Sequence, residues 1–342
     1  MEGMNLSRYV DRVELKFDVE FVTPCFLGGA DGNAEIRTAA FKFGIRYWWR
    51  LLYGAKYFNE GNLKNVEDFI FGSTEKKSLI TIFIERKSYV TESVGFPNGR
   101  RVDVEHNGRT MKVNILDYLA YGKYEYVNGQ GNKYNRTYIK PDSKVSLRIE
   151  VAKSIYSDEI KDSIKMFFMW GGIGSKSRNG FGSMLANVQT IPFSKKSVLS
   201  EELKEFPVFS RYSKFFITKK AFPTWELAMS EVGCIYKEAR TSLENKHNYM
   251  RRGFVARPIE VKHERIPENI KKERIPKPFY MGVMKINNKF FGYIISIPVL
   301  FYEKNNQIDY QKTIKDMESY MSQEMKDDTQ NFVKSFTGGT AK

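Results

Sequence analysis

Between Arg12 and Val22 apolar and polar side chains alternate, and Val13, Leu15, Phe17, Val19 and Phe21 share one face of an extended chain. A repeat of two marks a half-buried strand, and Thr23-Pro24 ends it. Ile80, Ile82 and Ile84 repeat the pattern within Leu79 to Arg86, as does Lys144 to Ala152. Helical spacing appears over Phe41 to Tyr53, in a short turn at Val66 to Phe71, and over Asp158 to Trp170, where Ile160, Ile164, Phe167 and Phe168 fall together. Ser183 to Ile191 again reads as a strand. The order is strand, helix, strand, strand, helix, strand, which is the split βαβ or ferredoxin-like order.

Pro192 to Lys204 reads as a linker. Beyond it the pattern predicts a strand at Val208 to Thr218, a long helix from Thr224 to Met250, strands at Phe279 to Ile286 and Phe291 to Tyr302, and a helix from Tyr310 to Phe336. The same order recurs, with its last strand absent or displaced. The predicted class is therefore α+β: two tandem ferredoxin-like (RRM-like) domains with antiparallel sheets, residues 1–195 and 205–342. From residue 87 to 143 the periodicity lapses into Gly, Asn, Tyr and basic residues. That stretch reads as a long irregular insertion in the first domain, partly disordered in the free chain.

Charge changes the picture. The 342 residues carry 55 Lys+Arg against 40 Asp+Glu, a formal net charge of +15. Such an excess attracts polyanions, nucleic acid foremost. The longest uncharged apolar run, Phe290 to Tyr302, contains Pro298 and is too short to span a bilayer. Met1 to Lys16 lacks the apolar centre of a signal peptide, so cytoplasmic residence is expected, with no membrane partner. Cys25 and Cys234 are too far apart in sequence for a disulfide framework or a zinc spacing, and no metal or cofactor is expected.

Two motifs could carry nucleic-acid chemistry. Gly171-Gly172-Ile173-Gly174-Ser175-Lys176-Ser177-Arg178-Asn179-Gly180-Phe181-Gly182 packs five glycines around two cations. Glycines let a backbone approach a phosphate and turn its amides outward, and Lys176 and Arg178 supply charge. The loop follows a helix and lacks the Gly-Lys-Ser/Thr order of a nucleotide-hydrolase phosphate loop. In the second motif, the helical step of about 100° places Lys42, Arg46 and Arg50 on a flank with Trp49 and Tyr53, while Phe41, Ile45, Trp48 and Leu52 form the apolar side. Cations interleaved with aromatics suit a single strand, whose phosphates pair while its bases stack. Gly44, inside this helix, implies close backbone packing. A third, weaker basic stretch runs from Arg240 to Lys277 and fits a partner-protein surface equally well. No nucleophile elbow or paired-carboxylate motif stands out. A metal-independent endoribonuclease using His106, or else His247 or His263, is the enzymatic alternative; a purely structural adaptor is the other.

Several of these residues, taken in order, resemble a known signature. They are Thr23-Pro24-Cys25-Phe26-Leu27-Gly28-Gly29-Ala30, Glu35-Ile36-Arg37, Lys42, Arg46-Tyr47-Trp48-Trp49-Arg50, Phe69-Ile70-Phe71-Gly72-Ser73 and the Gly171–Gly182 loop. The chain resembles the RAMP superfamily of CRISPR proteins, and more narrowly the subunit-one family of the Cmr, or type III-B, RNA-guided effector complex. The family pattern expects Pro-Pro-Ser before the helix and Gly just after the lysine, where this chain has Thr38-Ala39-Ala40 and Phe43. The resemblance implies two ferredoxin-like domains and a non-catalytic subunit that holds the 3′ part of the guide CRISPR RNA and borders the single-stranded target RNA beside other Cmr subunits. It implies RNA contacts at Lys42, Arg46, Trp49, Arg50, Lys176 and Arg178, with Gly171, Gly172 and Gly174 shaping the loop. Glu35 and Arg37 match the signature as a pair that orders their loop.

Overall fold

In chain order the first half forms β1 (Arg12–Phe21), α1 (Thr38–Asn59), α2 (Leu63–Phe71), β2 (Ile80–Ser88), β3 (Thr91–Val94), β4 (Arg101–His106), β5 (Arg109–Asn114), α3 (Ile115–Leu119), β6 (Tyr124–Val127), β7 (Gly131–Ile139), β8 (Lys144–Ala152), α4 (Asp158–Trp170) and β9 (Met184–Ala186). The second half forms β10 (Lys214–Ile217), α5 (Trp225–Thr241), α6 (Met250–Val255), β11 (Phe279–Ile286), β12 (Lys289–Ser296), α7 (Gln307–Glu324), β13 (Lys326–Asp327) and α8 (Thr329–Thr337). The computed structural model describes residues 11–29, 31–96, 99–106, 109–127, 131–189, 191–245, 248–257, 259, 274–301 and 306–337. His247 and His263 lie outside the described residues, as does most of the Pro-punctuated stretch after Ile259. No helix among the described residues is long and apolar enough to cross a membrane.

β1, β2, β8 and β9 make one antiparallel sheet in the order β2-β8-β1-β9, and β10 to β13 make a second in the order β11-β12-β10-β13. In the first sheet the alternation read from the sequence sets the pleat. Phe17, Val19 and Phe21 point inward, opposite Leu147 and Val145 in register, and bury against Phe41, Ile45, Phe167 and Phe168 of α1 and α4. Gly44 is where α1 and α4 meet: a Cβ there would stand 2.1 Å from the Phe167 ring. Any larger residue would force the helices apart.

The structure corrects five expectations. The described residues of the insertion form regular elements: β3, β7 and β6 make a three-stranded sheet and β4 and β5 a hairpin. Its anchor is aromatic, since Phe96 lies 5.1 Å from Tyr134, 5.6 Å from Phe181 and 6.1 Å from Trp225, ring to ring. The predicted strand at Ser183 to Ile191 is only Met184–Ala186, because the Val188 and Ile191 amides turn back onto the Ala186 and Val188 carbonyls, and that at Val208 to Thr218 is only Lys214–Ile217, because the Phe209 and Arg211 amides bond instead to the Leu51 and Ser200 carbonyls. The helix predicted to reach Met250 stops at Thr241. The predicted last helix is two, broken by β13, a two-residue strand that pairs with β10 and supplies the fourth strand not seen in the sequence.

The apolar interior does not respect the halves. One cluster joins the first sheet to Phe215, Tyr293 and Phe332 of the second half. There Trp170 packs edge-on against Phe215 at 4.9 Å, and its carbonyl accepts from the Tyr293 hydroxyl at 2.8 Å. The other cluster joins Phe26, Phe96 and Phe181 to Val232, Met281 and Met317. Truncating an anchor of such a cluster removes its transfer energy and leaves a cavity. Phe96→Ala is expected to lower stability to urea by about 3–5 kcal/mol, and to expose the amides of β7 to rapid exchange. Loss of β7 protection without global destabilisation would make the insertion an independent unit.

Glu318 of α7 accepts from Ser296 Oγ at 2.5 Å, and burial pushes its carboxyl from 4.5 up to about 7. The folded state therefore holds this proton where the unfolded chain has released it, so stability falls as pH rises between those two values. The expected loss is about 1–3 kcal/mol, and Glu318→Gln should abolish it in urea titrations at pH 5 and pH 8.

Candidate nucleic-acid interface

α1 is covered on several sides, by the first sheet, by α4 and by α2, and this decides which of its residues can meet a ligand. Trp49 is 0% exposed, stacked 5.4 Å from Tyr57 and edge-on to Phe71 of α2 at 5.8 Å. The RNA contact expected of Trp49 is thereby corrected: the ring is core. Tyr53 is core as well, its hydroxyl donating to Asp162 at 2.8 Å and accepting from Ser197 Oγ at 2.9 Å. On the flank of Arg46 and Arg50, α1 presents Phe43, 71% exposed, and Tyr47, half-buried; Phe58 is exposed further along, near its C-terminal end. With Arg46 and Arg50, Phe43 and Tyr47 follow the three- and four-residue spacing of one helix face. Sequence reasoning assigned the stacking role to the wrong aromatics because a helix buried on two sides has no single apolar stripe.

Arg46 and Arg50 converge on one carboxylate. Arg46 Nε donates to Glu67 Oε1 at 2.5 Å, and Arg50 Nη2 donates to both Glu67 oxygens at 2.5 and 2.7 Å. The Glu67 side chain is only 4% exposed, against 34% and 37% for the arginines. Asp68 adds a second carboxylate 3.5 Å from Arg46. The two cations thus hold α2 on α1, and their outer edges alone face solvent. Lys42 stands apart, lining a shallow cavity of about 250 Å³ with Thr38, Lys77 and Ser78. Glu35 and Arg37 pair at 2.8 Å, as expected of a loop-ordering pair.

The glycine loop is not an open amide nest. The amides of Gly171, Ile173, Ser175, Asn179, Gly180 and Gly182 all donate to carbonyls of the chain. Gly171 is buried, Gly172 bridges Ser183, and Gly174 takes φ +85 against the Phe26 backbone. The nest expected of Gly171, Gly172 and Gly174 is thus corrected at Gly171, whose amide is spent on the Phe167 carbonyl, while Gly172 and Gly174 lie in a tightly packed seam. Gly182 shows why glycine is needed: at φ +69 a Cβ would stand 2.0 Å from the Ile173 carbonyl.

What the loop offers is its cations. Arg178 lies over the Tyr47 ring at 5.2 Å, donates to the Tyr47 hydroxyl at 3.4 Å and to the Lys277 carbonyl at 3.5 Å. Lys277, from the second half, donates to the Arg178 carbonyl at 3.5 Å and to Asn179 Oδ1, with its ammonium 4.5 Å from the Tyr236 ring. Lys176 takes φ +63 and is half-buried. Among the described residues none of Lys176, Arg178 and Lys277 has a carboxylate at ion-pair distance. Burial, then Lys123, lowers the Lys176 ammonium below its usual range, and burial, then Arg240, Arg178 and Lys176, lowers Lys277 well below it. Tyr47 is raised by burial, against the pull of Arg178 and Arg50, which shows that the α1 face and the loop cations adjoin. Lys277 carried no sequence signal beyond its place in a basic stretch. His106 is the last residue of β4.

Two four-stranded antiparallel sheets, each with two crossing helices, and a glycine loop between them define an α+β protein of the RAMP type. The family model of the RAMP superfamily matches residues 18–185. The CRISPR system Cmr subunit Cmr1-2 of Pyrococcus furiosus is 30% identical over 181 residues, 50% of this chain and 94% of the relative. The chain belongs to the RAMP superfamily, in its Cmr1 branch. The apo crystal structure of Cmr1 from Pyrococcus furiosus shares the fold, with a TM-score of 0.53 and 17% identity over 92% of this chain and 97% of that one. A type III-B Cmr-beta chain, from a complex bound to cognate target RNA, gives a TM-score of 0.46 and 13% identity over 90% of this chain and 100% of its own.

Among the described residues Glu67 is the one carboxylate that Arg46 and Arg50 share, so its loss leaves Arg50 without a carboxylate and Arg46 with Asp68 alone. Glu67→Gln is expected to cost about 1–3 kcal/mol in urea unfolding. A change below a few tenths of a kcal/mol would mean that water replaces the carboxylate without penalty.

Proposed function

We propose that this chain is a non-catalytic, single-stranded RNA-binding subunit of a type III-B CRISPR effector complex, working in the cytoplasm beside other Cmr subunits. It holds the 3′ part of the guide RNA and borders the target RNA. The observation that carries this reading is the set of loop cations without carboxylate partners, Lys176 and Arg178, set beside Tyr47 and the Arg50 end of α1. Cations that approach one another with no counter-ion cost folding energy, and a phosphate backbone offsets that cost. Membership in the Cmr1 branch and the net charge of +15 agree with it.

Under this reading the halves, 1–195 and 205–342, are two ferredoxin-like units, since both strand orders are those the split βαβ topology gives. The strand does not lie on the open face of the first sheet. Arg148 there pairs with Glu14, Glu85 and Glu150, and the exposed Phe83 ring is covered by the same guanidinium at 4.1 Å. That face presents paired charges and no free stacking platform, whereas RNA-binding sheets need exposed rings.

The test is anisotropy of a labelled single-stranded RNA over a salt series. Affinity is expected to fall steeply with salt and to be indifferent to sequence. Lys176→Ala with Arg178→Ala should weaken binding about tenfold or more at low salt and reduce the log–log slope by about 1.4, two contacts at roughly 0.7 each. An unchanged slope would remove the loop from the interface, and no binding by the parent chain at low salt would favour an adaptor that meets proteins only.

A further inference from the structure

Lys277 is the least expected cation in the molecule. It belongs to the second half, yet its ammonium is turned into the seam, against Asn179 Oδ1 and the Arg178 carbonyl of the first half. Around it stand Lys176 and Arg178 from the glycine loop and Tyr236 and Arg240 from α5, with Tyr47 of α1 and Tyr280 of β11 beside Arg178. Lys123 approaches Lys176 from the insertion. Among the described residues no acidic group faces Lys277 from any of these elements. Arg240 reaches the Tyr118 hydroxyl at 3.4 Å, but its Nε is buried and has no partner among the described residues. Four cations from three separate parts of the chain therefore converge with donors to spare. The seam is half-exposed at Lys176, Ser177, Arg178 and Lys277, so solvent reaches it.

Folding alone does not call for this arrangement. A buried cation is tolerated when paired and costly when it faces its like, and an apolar side chain of similar length would serve the packing on Tyr236 better. We infer that Lys277 completes a phosphate site across the seam, holding one phosphodiester group of single-stranded RNA jointly with Lys176 and Arg178. The inference rests on the RNA-binding reading above and adds to it a contact from the second half, so that the strand ties the two halves together. A planar guanidinium and two ammoniums approaching from different directions suit a tetrahedral anion, and Arg240 supplies the outer positive field. Because Lys277 is held below its usual titration range in the free chain and a phosphate restores it, binding takes up protons on the alkaline side.

The experiment compares the full chain with Lys277→Gln and Lys277→Arg, using a labelled 12-nucleotide uridine RNA as probe. Lys277→Gln is expected to bind about tenfold or more weakly and to lose about 0.7 from the salt slope. Lys277→Arg should keep most of the affinity. Parent affinity should fall as pH rises from 7 to 9.5, by at most about tenfold per unit for each proton taken up, and Lys277→Arg should show a shallower fall. In the absence of RNA, Lys277→Gln should melt at the same temperature as the parent or higher, because a like-charge contact is relieved; a purely structural lysine would melt lower. Inorganic phosphate at millimolar concentration should compete weakly, and saturating protection by phosphate alone would reassign the site to a free anion. If the parent binds RNA and Lys277→Gln binds it equally well, the proposed contact is wrong while the RNA reading stands. If the parent does not bind RNA at low salt, both fall.

Discussion

The hydroxyl of Thr23, fully buried, donates to the Gly180 carbonyl at 2.8 Å and accepts from the Ser183 amide at 3.0 Å. A buried hydroxyl is stable only when both its functions are met, and here both are met by one loop. Together with the Val22, Gly182 and Ser175 backbone bonds, this hydroxyl fixes where the glycine loop lies relative to the end of β1, and the loop's contacts with the rest of the chain follow from that placement. Phe181 is carried into the aromatic cluster of the insertion. Asn179 reaches the Leu119 carbonyl at 2.7 Å, and its backbone pairs with Met281. Ser183 Oγ accepts from the Val283 amide at 3.2 Å. One irregular segment thus docks the first sheet, the insertion and the second sheet. Its glycines serve that close packing, which a longer side chain at Gly182 would prevent.

The sequence was most legible where burial is one-sided. β1, β2 and β8 each have one face on the core and one on solvent, so alternation declares them. β13 was illegible because two residues carry no period, and its pairing with β10 is a tertiary event. The insertion was illegible for another reason. Its apolar residues, Phe96, Tyr134 and Tyr138, are sparse along the chain and find their partners in Phe26 and Phe181 far away in sequence. Local pattern cannot register a core assembled from such distances. The same limit explains Trp49. Its position beside three cations suggested stacking on a base, but α2 folds back over it and Glu67 draws the flanking arginines inward.

The candidate site was half legible. Lys176 and Arg178 are half-buried on the loop, reachable from solvent, while the amide of Gly171, one of the glycines credited with a nest, is spent on the Phe167 carbonyl. Phe43 and Tyr47 escaped notice because an aromatic in a helix reads as core until the neighbours that would cover it prove absent. Lys277 could not have been found, since nothing in the stretch before β11 distinguishes it from a solvated lysine; only the fold brings it to Arg178.

Net charge conceals an uneven distribution. On the open face of the first sheet, Arg12, Arg148, Lys144 and Lys285 are matched by Glu14, Glu20, Glu85 and Glu150, and the field largely cancels at short range. Arg251 and Arg252 are matched by Asp316 and Glu244. Arg46 and Arg50 are tied to Glu67. At the seam the matching stops: Lys176, Arg178, Lys277 and Arg240 face one another. Like charges brought together in a partly desolvated setting repel, and solvent and relaxation reduce that cost. With those pairs cancelled and no carboxylate at ion-pair distance from the seam cations among the described residues, a positive local potential remains at the junction of the halves. Fields of that kind raise the local concentration of a polyanion.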